Sequence, residues 1–135
     1  MAIAREEEAI TRAFTNYIQA FQTLDPCATT PHFHIPCMFI PPQGVHVLAT
    51  AADVQALLIQ VMEGLKARSY ARSEVLNRHV KQMSDNTSLV TVRRVRYATD
   101  GRELERFGET YTLRKIEGDW KIAVAMIHDA DIVLR

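Results

Sequence analysis

The first part of the chain has apolar residues at alternating steps of three and four positions. They are Ile10, Phe14, Tyr17, Phe21 and Leu24. This spacing is typical of a helix that buries one face, and it predicts a helix over about 3–24. Asp25 and Pro26 follow with the residue types that cap and begin a second, short helix. Tyr17 places a hydroxyl on the buried face, either as a core tyrosine or as a donor to a cavity.

The next segment predicts a short hairpin and a third helix. Four prolines interrupt 31–42, and between them 37–40 is a short apolar strand with 45–48 as its partner. Thr50 and Asp53 have the pattern of a capping box. The helix that they begin has an apolar stripe made of Val54, Leu57, Leu58, Val61, Met62 and Leu65.

From residue 70 onward the helical period is lost, and the pattern predicts an antiparallel meander. Turn signals fall at Asp85-Asn86, Asp100-Gly101 and Glu117-Gly118. They divide the remainder into four strands at about 70–83, 88–99, 102–116 and 119–129.

The hairpin around Asp100-Gly101 determines which residues share the inner face of this sheet. A two-residue loop places Thr99 opposite Arg102. That register predicts these pairs on one face: Arg96 with Glu105, Arg94 with Phe107, Val92 with Glu109, and Val90 with Tyr111. A two-residue turn near Gly118 extends the face, whereas a three-residue turn would reverse the last strand. The extended face includes Leu113, Ile122, Val124, Met126 and His128.

Charged residues on this otherwise apolar face need an explanation, because unpaired buried charge is costly. We expect Glu109 in the middle of the face, with Arg94 diagonal to it and His128 nearby. Glu109 is either half of a structural ion pair or an acid/base group. His128 is either a strand-end residue or a general base.

The opposite face of the sheet is also apolar for a surface in water. It would carry Leu89, Val95, Tyr97 and Leu104 among threonines and arginines. An apolar patch of this kind commonly marks an interface, so we expect a homodimer through the outer sheet face.

The composition argues against several classes of partner. The 135 residues are enough for one domain over 1–135, and 16 basic residues balance 16 acidic ones. With no net charge, nothing favours nucleic acid or an anionic membrane, and we expect neither. The acidic N-terminal segment lacks the features of a signal peptide, and Cys27 and Cys37 form no CxxC motif. We therefore expect a cytoplasmic protein.

Two sequence segments and the order of elements resemble the NTF2-like superfamily, in its SnoaL-like and ketosteroid isomerase-like branch. The segments are Tyr17-Ile-Gln-Ala-Phe-Gln-Thr-Leu-Asp25 and Gly118-Asp-Trp-Lys-Ile122. The resemblance covers nearly the whole chain. It implies an α+β, cystatin-like cone in which three N-terminal helices pack on a curved antiparallel meander sheet. It also implies a homodimer and a pocket between the sheet and the helices.

Ketosteroid isomerase gives the most specific comparison. Its oxyanion-binding tyrosine precedes the aspartate at the end of helix one by the spacing that separates Tyr17 from Asp25. Its protonated acid precedes an inward aromatic residue as Glu109 precedes Tyr111. The position of its catalytic base corresponds to Pro41, which cannot carry a proton. The resemblance therefore implies an oxyanion site at Tyr17, with Glu109 or His128 left to move the proton.

These arguments predict a pocket with three candidate catalytic residues, Tyr17, Glu109 and His128. The predicted ligand-binding residues are Phe14, Phe39, Met62, Arg94, Phe107, Tyr111, Val124 and Met126. The expected ligand is a small apolar compound with a carbonyl or hydroxyl group. The expected activity is that of a cofactor-independent isomerase, lyase or hydrolase. A non-catalytic ligand-binding or dimerisation module is the alternative, and a transport adaptor is a third possibility.

A cluster of potential metal ligands lies between the first and third helices. It comprises His32, His34, Cys37 and His46. Their spacing is a weak signal for a metal, so we expect no metal site and leave the role of these histidines open.

Overall fold

The computed structural model describes residues 5–132, which form three α-helices and six strands. The helices are α1 (Glu7–Gln22), α2 (Pro26–Thr29) and α3 (Ala51–Ala67), and a short 3₁₀ turn, Thr30–His32, follows α2. The strands are β1 (Phe33–Ile40), β2 (His46–Leu48), β3 (Tyr70–Gln82), β4 (Thr87–Ala98), β5 (Glu103–Ile116) and β6 (Asp119–His128). The prediction of three helices, a short hairpin and a four-strand meander is confirmed. Residues 3 and 4 of the predicted first helix lie outside the described residues.

The strands form one curved, open sheet in the order β2-β1-β6-β5-β4-β3. The meander from β3 to β6 is antiparallel, as predicted. β1 pairs with β6 in parallel, with Phe39 opposite Ala125. The α+β class and the cone of helices on a curved sheet are thus confirmed, and the parallel pair adds the N-terminal hairpin to the same sheet.

Side-chain caps begin the second and third helices where the sequence placed them. Asp25 accepts hydrogen bonds from the backbone N–H of Cys27 at 2.9 Å and of Ala28 at 3.3 Å. Thr50 and Asp53 form the predicted capping box, in which the Thr50 hydroxyl accepts from the Asp53 backbone at 3.1 Å. Such caps satisfy backbone donors that have no partner within the helix.

The core lies between the concave face of the sheet and the apolar faces of α1 and α3. Phe14 of α1 is 1% exposed and meets Tyr111 edge-on, with ring centroids 5.0 Å apart. The buried residues of α3 are Val54, Leu58, Met62 and Leu65. This packing holds α1 across the middle of the sheet. No helix in the described part of the chain is long and apolar enough to cross a membrane.

The hairpin between β4 and β5 has the predicted register over the site but a different turn. Gly101 has a φ of +89° and donates to the Ala98 carbonyl, and Ala98 in turn donates to Arg102. The loop is therefore three residues long, with glycine in the left-handed region, and Thr99 does not pair with Arg102. A bulge at Leu104 then shifts the register by one residue, since Tyr97 pairs with Glu103 while Arg96 pairs with Glu105. Beyond it, all four predicted inner-face pairs are present.

The hairpin between β5 and β6 has the predicted two-residue turn but not the predicted facing of its last residues. Ile116 pairs with Asp119 across Glu117 and Gly118, both with positive φ. The register shifts after Leu113–Ile122, because Thr112 pairs with Val124 and leaves Ala123 unpaired. This β-bulge reverses the alternation of side chains in the rest of the strand. Ala125 and Ile127 consequently lie on the inner face, and the inward placement of Val124, Met126 and His128 was wrong.

Candidate functional site

A cavity of about 220 Å³ lies between the concave sheet face, α1 and α3. Most of its wall is apolar. The apolar lining residues are Phe21, Phe33, Met38, Phe39, Leu48, Val54, Leu57, Leu58, Val61, Ala125 and Ile127. The polar lining residues are Tyr17, Arg94, Arg96 and Glu109. A pocket of this composition orients a ligand through a few polar groups and binds it mainly through apolar contact.

Glu109 is held in place by two buried donors. Its Oε1 accepts from Arg94 Nη1 at 2.9 Å and from the Tyr111 hydroxyl through a short hydrogen bond. The side chains of Arg94 and Glu109 are only 1% and 5% exposed. Its second oxygen, Oε2, has no hydrogen-bond partner among residues 5–132. One carboxylate oxygen is thus committed to the protein and the other is left for an occupant of the cavity.

Arg94 is fixed from its other side by a chain of hydroxyls. Its Nη2 donates to Ser73 Oγ at 3.3 Å, and Ser73 Oγ lies 2.6 Å from the Tyr70 hydroxyl. Burial by itself lowers the pKa of Arg94, but Tyr111 and Glu109 outweigh it and the pKa is raised. Arg94 and Glu109 therefore form a charged pair inside the protein, a type of pair that is costly to break from one side.

Tyr17 remains protonated over the physiological range. Burial, and then the negative charge of Glu109, raise its pKa to about 12, while Arg94 acts in the opposite direction. Burial likewise raises the pKa of Tyr111 well above its usual value. Both phenols are therefore neutral, and the proton of Tyr111 is already donated to Glu109.

A second arginine, Arg96, borders the cavity beside Arg94. Its Nη1 lies 2.6 Å from Glu105 Oε2, and Glu105 Oε1 lies 3.0 Å from Arg68 Nη1. Partial burial acts to raise the pKa of Glu105, but Arg96 and Arg68 outweigh it, so the pKa is lowered. The phenyl rings of Phe21 and Phe107 lie 5.5 Å and 4.8 Å from the Arg96 guanidinium carbon. These contacts hold the guanidinium close to two aromatic rings.

The structure brings four of the predicted site residues to the cavity wall. They are Tyr17, Phe39, Arg94 and Glu109. Three others lie in the core and not in the cavity wall: Phe14 and Met62 are 1% exposed, and Tyr111 is fully buried. The Tyr111 hydroxyl nevertheless donates to Glu109, which does line the cavity. Phe107 does not line the cavity wall and instead packs against the guanidinium groups of Arg94 and Arg96.

Val124, Met126 and His128 lie on the opposite face of the sheet from this cavity. His128 Nε2 is 2.7 Å from Thr110 Oγ1, and its Nδ1 is 3.0 Å from the Asp129 carbonyl oxygen. Its ring lies over Gly108, where a Cβ would stand only 2.5 Å from His128 Cε1. Glycine at 108 is thus what lets the imidazole rest on the outer face, and His128 takes no part in the cavity.

The sequence analysis missed several lining residues, for different reasons. Arg96 was on the predicted inner face beside Arg94, so its position was available from the register. The lining residues of α3 were in the predicted apolar stripe. Ala125 and Ile127 could not be identified, because the bulge at Ala123 has no sequence signal. Phe33 and Met38 reach the cavity through the parallel pairing of β1 with β6.

The histidines of the N-terminal half are dispersed. His34 Nδ1 lies 2.9 Å from the Pro36 carbonyl oxygen, and His46 stacks on Phe39 with ring centroids 6.0 Å apart. His32 lies edge-on to Tyr17, and burial together with Lys121 lowers its pKa. Within residues 5–132, no group of three or more His, Cys, Asp or Glu side chains is arranged to hold a metal.

Comparisons with known proteins agree with this fold. A family model described as NTF2-like protein (DUF6841) matches residues 6–130. No curated protein matches the sequence significantly. Among solved structures, an NTF2-like protein with a cystatin-like fold from Novosphingobium aromaticivorans superposes with a TM-score of 0.74 at 16% identity, covering 92% of this chain and 81% of that one.

Two further structures are similar over almost the whole chain. A ketosteroid isomerase-like protein from Erwinia carotovora atroseptica has a TM-score of 0.71 at 18% identity, covering 95% of this chain and 98% of that one. Aln2 from a Streptomyces species has a TM-score of 0.75 at 14% identity, covering 96% of both chains. At these identities the likeness establishes the fold alone.

Proposed function

We propose that this chain, which belongs to the NTF2-like family DUF6841, binds a small and mainly apolar molecule in the cavity between its sheet and helices. The observation that carries the proposal is the cavity itself, whose apolar wall surrounds a few polar groups. Its volume of about 220 Å³ lies below the range of about 300–1,000 Å³ for sites of drug-sized ligands. A compound of one or two fused rings therefore fits it best.

The polar groups favour a ligand with a carbonyl or hydroxyl group. Tyr17 is a neutral donor because its pKa is raised to about 12, and the free Oε2 of Glu109 is an acceptor. A carbonyl oxygen would accept from Tyr17, and a hydroxyl would in addition donate to Glu109. A buried polar group of the ligand that reached neither residue would cost about 1–3 kcal/mol, so ligands whose oxygen reaches both are favoured.

The binding test uses 2-naphthol, a bicyclic and neutral hydroxyl compound, in isothermal titration calorimetry. Ala125→Leu extends a side chain into the cavity and should abolish binding while the protein stays folded. Val124→Leu is the matched control, because Val124 is adjacent in the strand but faces outward. If both variants bind like the wild type, the cavity is not the binding site.

Acid/base catalysis is the second candidate function. It is favoured by the placement of Tyr17 and Glu109 in the lining of the same cavity. Glu109 Oε2 would remove a proton next to a carbonyl, and Tyr17 would donate to the oxyanion that develops. His128 is left out of this mechanism because it lies on the outer face.

The test of catalysis is exchange of the α-protons of 2-tetralone for deuterium in D₂O, followed by NMR. Tyr17→Phe should slow the protein-catalysed exchange about a hundredfold, the typical effect of losing one oxyanion donor. Glu109→Gln should remove it while 2-naphthol still binds. Binding without catalysed exchange in the wild type would leave the non-catalytic binding function.

The outer face of the sheet is the surface that we propose for a homodimer. Val95 is fully covered within the protomer and Leu104 packs against the core, so neither is available as first expected. The bulge in β6 instead turns Val124 and Met126 outward, and Met126 is 38% exposed. Met126→Lys should therefore yield monomers in sedimentation velocity, and a dimer of unchanged stability would point to another surface.

A further inference from the structure

We infer that the ligand of the cavity is an apolar carboxylic acid whose carboxylate is bound by Arg96. This inference rests on the proposed function and names the ligand class for the same site. It comes from the charge balance around the two arginines, the unpartnered donors of Arg96 and the pairing of Glu109 with Arg94.

The charged groups at the polar end of the cavity do not balance. Glu109 pairs with Arg94 at 2.9 Å. Arg96 pairs with Glu105 at 2.6 Å, but Glu105 also pairs with Arg68 at 3.0 Å. Three arginines thus share two carboxylates. Arg68 is 44% exposed and screened by water, whereas Arg96 is only 11% exposed, so the excess positive charge is felt at the cavity, where water screens it least.

Arg96 also has N–H donors without an acceptor. Of its guanidinium nitrogens, Nη1 is bonded to Glu105, Nε is buried without an acceptor, and Nη2 has no hydrogen-bond partner among residues 5–132. The rings of Phe21 and Phe107 lie near the guanidinium, and Arg96 is part of the cavity wall. A planar guanidinium edge matches a carboxylate in shape and charge, and such pairs form strong, oriented hydrogen bonds.

The one carboxylate among the described residues that line the cavity already has a cationic partner. Glu109 pairs with Arg94 at 2.9 Å, and Arg96 lies two residues beyond Arg94 on β4. An acid bound at Arg96 would therefore have a guanidinium of its own while its apolar body fills the cavity.

The experiment compares two probes of nearly equal shape, 2-naphthoic acid and 2-naphthamide, by isothermal titration calorimetry at pH 7. The acid is ionised at this pH and the amide is neutral. We expect the wild type to bind the acid about tenfold to a hundredfold more tightly, the range for a hydrogen bond to a charged group. Equal binding, or tighter binding of the amide, would overturn the inference and leave the proposed function intact. If neither probe nor 2-naphthol binds, the proposed function fails as well.

Two variants assign the preference to Arg96. Arg96→Met keeps an unbranched side chain but removes the guanidinium, and it should remove the preference for the acid, with amide binding showing that the cavity is intact. Arg106→Met is the matched control, because Arg106 pairs with Glu103 at the surface. A preference that survives Arg96→Met would overturn the inference.

A third variant decides the matter even if Arg96→Met does not fold. Glu105→Gln removes the carboxylate that now occupies Arg96 Nη1 and leaves Arg96 in place. We expect it to bind 2-naphthoic acid more tightly than the wild type and 2-naphthamide equally. Unchanged or weaker binding of the acid would show that Arg96 does not hold it.

Discussion

The two hairpins that share β5 each contain a bulge, with opposite consequences for the site. Between β4 and β5 the loop is one residue longer than predicted, and the bulge at Leu104 compensates for it, so Arg94 and Glu109 face the cavity as expected. Between β5 and β6 the turn is as predicted, and the bulge at Ala123 is uncompensated, so His128 faces outward. A register inferred from a turn therefore holds only to the first bulge. Four predictions test this difference, from the largest expected effect to the smallest.

Removing Arg94 should destabilise the β4–β5 side of the molecule most. Arg94→Met leaves Glu109 buried without its counter-charge, and we expect a loss of about 3–5 kcal/mol in the free energy of unfolding. Urea unfolding followed by circular dichroism measures it. The double variant Arg94→Met, Glu109→Leu should recover much of the loss, because no unpaired charge remains. A double variant no more stable than the single one would show that the pair is not the cause.

Tyr17 should make the protein sensitive to alkali. Its pKa is raised to about 12 from 10.0, so it contributes stability that is complete below pH 10 and is lost as the pH rises towards 12. The shift corresponds to about 2–3 kcal/mol. We expect Tyr17→Phe to lose less stability than the wild type between pH 10 and 12 in urea unfolding. Parallel curves over that range would contradict the assignment.

A side chain at position 108 should disturb the end of β6. In Gly108→Ala the new Cβ would stand 2.6 Å from the Asp129 backbone oxygen and 2.5 Å from the His128 ring. Overpacking of this kind costs about 1–3 kcal/mol. Gly44→Ala is the control, since nothing lies within 4 Å of the Cβ there. If the two variants unfold at the same urea concentration, His128 does not rest on Gly108.

The smallest expected effect concerns the hydrogen bond of His128. Thr110→Val removes the hydroxyl that lies 2.7 Å from His128 Nε2 and should cost about 1 kcal/mol. Because His128 is outside the cavity, the affinity for 2-naphthol should not change. A loss of affinity in Thr110→Val would place His128 back in the functional site.

Local sequence patterns predicted much of the fold. Features that depend on strand register were harder to predict from the sequence. The caps at Asp25 and Thr50 and the stripe on α1 depend on residues a few positions apart, so the sequence contains all the information. The facing of Ala125 and Ile127 depends on one unpaired residue, Ala123, which no local pattern in the sequence marks. The pairing of β1 with β6 joins distant parts of the chain and has no periodic signal. The inward facing of Tyr17, Arg94 and Glu109 was therefore accessible from α1, β4 and β5, whereas the facing predicted for the end of β6 was wrong.

The parallel pairing of β1 with β6 also affects the order in which the chain folds during its synthesis. Residues near the start of the chain, such as Phe39, find their sheet partners in Ala125 and its neighbours near the end. Contacts so distant in sequence form late, because the loop between them must first be closed. On the ribosome, the edge of β1 that pairs with β6 consequently waits without a partner until β6 has emerged. The cavity is then the last part of the protein to be enclosed, and a chain that stops before β6 would present the cavity wall to chaperones and proteases.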